Sequence, residues 1–311
     1  MQQSALAYLR HGQTPFFRLA ASPEGGVANA DVAVLGVPHD AGTTYQPGAR
    51  LAPYHIRRVS ALVQGHHPVH GIDVFARIRC VDAGNVVFPP FDRAAMRGAV
   101  EAEVRQLAAA GVAPLVVGGD HSVTLPVLRA LAKQHGPLAI VHVDAHLDLS
   151  GPDVWGDEFH HGTPLRHAID EHLVEPGQLY QLGVRGPRGT ANDDAIARAH
   201  GHSVFSADEI AERTVGRVCA ELRERIGARP VYVTFDVDAI DPAFAPGTGT
   251  PVPGGLTSRE ALALVRGLAG LDVKGGDVVE VCPPLDHADI TSHLAAYLMW
   301  ELLAVMALRR G

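Results

Sequence analysis

The segment that most restricts the fold is Leu138-Ala139-Ile140-Val141-His142-Val143, followed at once by Asp144-Ala145-His146-Leu147-Asp148. A six-residue run that is apolar apart from His142 reads as a strand covered on both faces, as strands of a parallel sheet are. Alternation along an extended chain predicts that Asp144, His146 and Asp148 leave its end on one side. In open α/β sheets, ligands bind at the carboxyl ends of strands. Two acids and an imidazole crowded there repel one another unless a cation joins them. No Lys or Arg lies within ten residues on either side.

The rest of the chain repeats the strand-then-helix rhythm. Strands are predicted at Asp31–Val37, Arg77–Asp82, Ala113–Val117, Gln178–Val184, Ser203–Phe205, Pro230–Phe235 and Gly276–Val281. Helices are predicted at Pro53–Gln64, Arg93–Ala110 (capped by Asp92 and stopped by Gly111), from Ser122 or Thr124 to His135, near Thr163–Glu171, and at Ile290–Leu308. Thr257-Ser258-Arg259-Glu260 has the form of a capping box. This alternation argues for an α/β fold with one mostly parallel sheet covered on both faces. With no repeat or linker in sight, residues 1–311 read as a single domain, with 1–30 as an N-terminal arm that packs on a neighbour.

Composition narrows the partners. The net charge is −8 and no basic cluster stands out beyond Arg309-Arg310, so nucleic acid and acidic membrane surfaces are not expected partners. Three widely spaced cysteines, Cys80, Cys219 and Cys282, suit reduced thiols in the cytoplasm. Met1–Ala21 lacks the pattern of a signal peptide. Leu294–Leu308 is interrupted by Glu301 and is short for a bilayer span.

Two more polar clusters follow apolar strands: Gly118-Gly119-Asp120-His121-Ser122 and Asp236-Val237-Asp238. Alone, the first is open to reading as a tight turn or a phosphate loop, and the second as an Asx-turn cluster. Together the three clusters offer four carboxylates and two imidazoles, enough for two metal ions if two acids bridge. A carboxylate-rich set with some imidazole suits Mn²⁺, with Ni²⁺, Co²⁺ and Fe²⁺ as alternatives. Such a pair activates water for hydrolysis. His142 reads as a hydrogen-bonded core histidine, Cys282 as a small buried residue, Asp241 as a turn former, and His66, His67, His70, His167 and His172 as surface.

The three clusters, with the loop from Asp241 to Pro251, resemble the ureohydrolase family of arginases and agmatinases, from Gly36-Val37-Pro38 to the final helix. The resemblance implies a three-layer α/β/α sandwich around a mostly parallel eight-stranded sheet. It implies two Mn²⁺ per chain, one held by His121, Asp144, Asp148 and Asp236, the other by Asp144, His146, Asp236 and Asp238. His161, in His160-His161-Gly162-Thr163-Pro164, is implied as the proton shuttle. Glu280 would hold the guanidinium with Thr250 supporting it, and Asp148 would steady the tetrahedral intermediate. Trp155 and Tyr45 are candidates for walling the substrate tail.

The implied reaction releases urea and an amine from a small guanidino substrate, with agmatine to putrescine expected first. The stretch Pro230–Glu260 is also similar to the guanidinobutyrases and proclavaminate-type amidinohydrolases of this family, so a guanidino acid is the alternative. His39, Gln46 and Leu285 depart from residues frequent in relatives. A homo-oligomer, trimer or hexamer, is implied as well. The competing readings are a metal-bearing pseudoenzyme and a one-metal zinc deacetylase of similar fold.

Overall fold

Short β-branched and aliphatic runs form the central strands of this protein; all its strands in chain order are β1 (Ala20–Ala21), β2 (Val32–Gly36), β3 (His66–His67), β4 (Ile72–Asp73), β5 (Cys80–Asn85), β6 (Ala113–Val117), β7 (Leu138–Val143), β8 (Val174–Val184), β9 (Ser203–Ser206), β10 (Pro230–Asp236) and β11 (Asp272–Val279). The computed structural model describes residues 15–21, 27 and 29–309, with Ala191 and Asn192 described by backbone alone. Nine strands form one sheet in the order β1-β5-β2-β6-β11-β10-β7-β8-β9. Every neighbouring pair in it is parallel. β3 and β4 form a separate antiparallel pair.

The pleat of β7 shows why its run is apolar throughout. Ala139, Val141 and Val143 belong to one hydrophobic core, with helices Ala52–Ser60, Val215–Ile226, Ser258–Arg266 and Ile290–Arg309. Leu138 and Ile140 belong to the other, with helices Arg93–Ala109, Thr124–His135 and Pro164–Asp170. This is the expected three-layer sandwich. The helix starts follow their caps: Asp92 Oδ1 accepts from the Ala95 N–H at 2.8 Å, and Thr257 and Glu260 complete their capping box.

Three expectations need correcting. The sheet has nine strands, not eight, because part of the supposed arm joins it: Ala20 and Ala21 pair with Val81 and Asp82 of β5. Phe16, Phe17 and Leu19 beside them are buried in this chain's own core, so their apolar surface is satisfied without a neighbour. Residues 1–14, 22–26 and 28 of that arm, and Arg310, lie outside the described residues. The second predicted strand starts at Cys80 rather than Arg77, because Asp73 caps a helical turn over Val74–Arg77.

His67 is buried rather than on the surface. Its Nε2 lies 2.9 Å from Glu301 Oε2, and its Nδ1 accepts from the His70 N–H. Arg266 also binds Glu301. That trio explains how the helix Ile290–Arg309, long and apolar enough to cross a membrane, keeps an acid inside the fold, with 83% of its most apolar window buried.

Candidate metal centre and cleft

The register of the central strands assembles the site. Phe235 pairs with Val143, so Asp236 and Asp144 leave neighbouring strands side by side. Asp236 pairs with Val279, which places Glu280 on the next strand over, and Val278 pairs with Val117, just before the loop carrying His121. Chain segments more than 100 residues apart thereby converge at the carboxyl end of one parallel sheet.

Asp144 is the hinge of the arrangement. Its Oδ2 lies 3.1 Å from His121 Nδ1, and its Oδ1 lies 3.3 Å from His146 Nδ1. Asp148 Oδ2 and Asp236 Oδ2 complete the His121 side at 3.0 and 3.2 Å, and Asp238 Oδ2 completes the His146 side at 3.0 Å. These are two ligand groups sharing one carboxylate. Convergence does not come from strand alternation, as β7 ends at Val143; the chain bends instead, and Asp148 takes a left-handed φ of 53°. Glu280 does the same at 63°, which ends β11 at Val279 rather than Val281. Two non-glycine residues held there are the local strain expected of a functional site.

The donor set fits divalent metal. His121 Nδ1 is buried and makes no hydrogen bond, although three carboxylate oxygens stand within 3.2 Å of it. Carboxylate oxygens gathered this closely about one buried ring nitrogen are arranged for a cation. Burial pushes Asp236 well above the usual carboxylate range, with the charges of Asp238 and Asp144 adding to it; Asp238 is raised by burial and by Asp144. Burial works against a charge on His146, yet Asp238 and Asp144 carry its pKa up to about 12. A cluster that holds so strongly to positive charge calls for metal.

His142 holds Asp144 in place. The Gln181 side-chain amide donates to Leu147 O at 2.7 Å and to His142 Nδ1 at 3.0 Å, so the proton of His142 sits on Nε2 and is donated to Asp144 Oδ2 at 2.8 Å. The core-histidine reading of His142 therefore stands, with a positioning role added. The glycine pair is a close backbone approach rather than a phosphate loop: a Cβ on Gly119 would overlap the His39 carbonyl oxygen. Asp236 does both things expected of it, since Oδ1 accepts from the Asp238 N–H at 2.8 Å while Oδ2 faces His121.

Above this floor opens a cleft of about 260 Å³. His161 stands in its wall, with Nδ1 2.9 Å from Glu280 Oε1 and Nε2 2.8 Å from Thr44 Oγ1. Burial would lower its pKa, but the Glu280 carboxylate outweighs that and holds it at about 9. Glu280 itself lies beneath the wall, where the same oxygen also accepts from the His121 N–H at 2.8 Å. Thr250 lines the cleft but bonds Asp238 Oδ2 at 3.3 Å, not Glu280. Trp155 lines it as well. Tyr45 does not; it is 71% exposed outside, and its neighbour Thr44 takes the place. His39, Gln46 and Leu285 are also outside the lining, His39 being buried against Phe88 and Asp120.

Sequence reasoning missed Thr44, His160, Arg188 and Asp193, which all line the cleft. The available signal was the Gly/Pro-rich Arg185-Gly186-Pro187-Arg188-Gly189 directly after β8, the same loop-after-strand pattern that identified the metal clusters.

A parallel α/β sheet with two carboxylate-linked ligand groups under a histidine-walled cleft defines a metal-dependent hydrolase. The chain belongs to the arginase family, whose model matches residues 30–305. This is a family of binuclear metal-dependent hydrolases of guanidino compounds. The chain is 48% identical over 295 residues to proclavaminate amidinohydrolase of Streptomyces clavuligerus, covering 94% of this chain and 93% of that protein. The solved structure of that enzyme superposes with a TM-score of 0.90, covering 96% of this chain and 99% of the other. Guanidinopropionase of Pseudomonas aeruginosa is 45% identical over 296 residues, at 95% and 92% coverage. An agmatinase of Cronobacter sakazakii is 42% identical over 286 residues, at 91% and 90% coverage.

Proposed function

We propose that this chain cleaves the tail-side C–N bond of a linear guanidino compound with water, releasing urea and an amine. The observation that carries this is the hydrogen-bonded His161–Glu280 pair beside the shared-carboxylate ligand groups. The metals that His121, Asp144, Asp148, Asp236, His146 and Asp238 would hold, Mn²⁺ first among them, supply Lewis-acid activation of water. The chain's own residues supply the rest. Glu280 Oε2, with no hydrogen bond among the described residues, is free to take a guanidinium N–H, and Asp148 steadies the tetrahedral carbon's substituents. As the C–N bond breaks, His161 gives its proton to the departing nitrogen. A pKa near 9 keeps that proton on His161 at neutral pH.

Relatives divide between agmatine and guanidino acids, and the two of higher identity reported above are named for carboxylate substrates. We therefore place a guanidino acid ahead of agmatine. The proposal also includes a homo-oligomer, supported by family resemblance, and a cytoplasmic setting, supported by the buried thiols of Cys219 and Cys282.

The test is urea release from Mn²⁺-loaded protein given agmatine, 4-guanidinobutyrate, 3-guanidinopropionate, a proclavaminate-type guanidino acid, arginine or guanidine. Turnover of one of them is expected. Silence on all, repeated with Ni²⁺, Co²⁺ and Fe²⁺, would overturn the hydrolytic reading.

A further inference from the structure

We infer that Arg188 reads the far end of the substrate by binding a tail carboxylate, and so selects guanidino acids over agmatine. The inference rests on the guanidino-hydrolase reading above and adds the residue that decides the tail.

Arg188 lies on the loop after β8, in the wall of the cleft whose floor holds His121, Asp236 and Asp238. Its guanidinium is fixed from behind. Nη1 donates to Gly186 O at 2.6 Å and Nε to Asp194 Oδ1 at 3.0 Å. Of the five N–H groups an arginine carries, three then have no partner among the described residues. A planar donor set already oriented by its own loop loses little entropy when it takes up a carboxylate. Asp194 does not use up the charge: the two side chains are 28% and 38% exposed, and an ion pair so open to water is weak.

Sign decides the rest. A guanidinium seated at the acidic floor leaves the other end of the substrate to meet the wall. Among the described residues of that wall, Arg188 is the one permanent cation. An ammonium end such as agmatine's meets like charge there, whereas a carboxylate finds charge-assisted hydrogen bonds. Asp193 is the competing group, an acid in the same wall that would suit an ammonium. It is 5% exposed and lies 3.4 Å from the Thr190 hydroxyl, so a tail entering the cleft meets the more exposed cation.

The experiment compares Mn²⁺-loaded wild type with R188A, R188K and R188E on 4-guanidinobutyrate, 3-guanidinopropionate and agmatine. Binding of 4-guanidinobutyrate is measured alongside by calorimetry. Wild type is expected to favour an acid over agmatine in kcat/KM. R188A should raise KM for the acids by roughly ten- to hundredfold, the range of a lost hydrogen bond to charge, with kcat little changed. Agmatine should be unaffected or improved, R188K should recover part of the loss, and R188E should shift preference to agmatine. Equal losses on acids and agmatine, or an agmatine-preferring wild type, would overturn the assignment. If no compound yields urea, the hydrolytic reading fails and calorimetry judges Arg188 alone: weaker binding of 4-guanidinobutyrate to R188A supports its role, and unchanged binding refutes it.

Discussion

The Nδ1 atom of His161 lies 2.9 Å from Oε1 of Glu280, and that carboxylate holds the imidazole's pKa at about 9 against burial, which alone would lower it from 6.5. Raised above its ordinary value, His161 contributes stability that is complete below pH 6.5 and disappears as pH rises through about 9. E280Q removes the largest of the charges that raise it. The His161 ring should then titrate well below 9 in the metal-free protein, as followed by proton NMR, with Asp120 and Asp148 still raising it, and the alkaline loss of stability should shrink. An unchanged titration would show that the pair is not coupled.

Asp144 offers one oxygen to each ligand group, so D144N should damage both. Bound Mn²⁺ measured by mass spectrometry should fall from about two ions per chain to less than one. H161A should keep its metal and lose turnover, because His161 belongs to neither group. Retained metal in D144N would mean that the remaining acids bridge without it.

The Gln181–His142–Asp144 chain makes a subtler prediction. H142A leaves every ligand in place but frees Asp144 to rotate. Mn²⁺ affinity should drop by about ten- to hundredfold in chelator competition. Q181A, which keeps the ring but releases it, should show a smaller drop in the same direction. Equal affinity in all three proteins would reduce His142 to a packing role.

Glu301 is buried with His67 and in contact with Arg266, far along the chain from the metal ligands. E301A strands two partners at once and should cost about 3–5 kcal/mol in urea denaturation. Metal stoichiometry of the folded fraction should stay at wild-type level. A loss below about 1 kcal/mol would show that water reaches the cluster and substitutes for the acid.

The convergence of the candidate metal-holding residues was legible because each sits where an apolar strand gives way to acids and histidines, a pattern that burial makes costly without a cation. Helix starts at Arg93 and Ser258 were legible through their caps, which are local. What escaped was set by tertiary contact. Ala20 and Ala21 carry no strand signal of their own and pair because Phe16 and Phe17 anchor them to the core. His67 resembles any loop histidine until Glu301, 234 residues away, lies against it. Thr250 was placed beside Glu280 by resemblance, whereas its hydroxyl reaches Asp238. Arg188 stands in a loop without acids or histidines of its own, and only the cleft shows what it faces.

The helix Ile290–Arg309 has a consequence for the order in which the molecule can be made. It packs against helices Ala52–Ser60 and Ser258–Arg266 and against β11, so elements from both ends of the chain share one buried surface. A ribosome delivers residues 52–60 long before residues 290–309, and until the later segment emerges, the apolar surface of Ala52–Ser60 and β11 that it covers stays open. The nascent chain must therefore carry an open apolar face through most of its synthesis, a natural substrate for a holding chaperone. A chain cut short before residue 290 would keep every residue of the candidate metal centre and still lack the helix that completes one layer over the sheet.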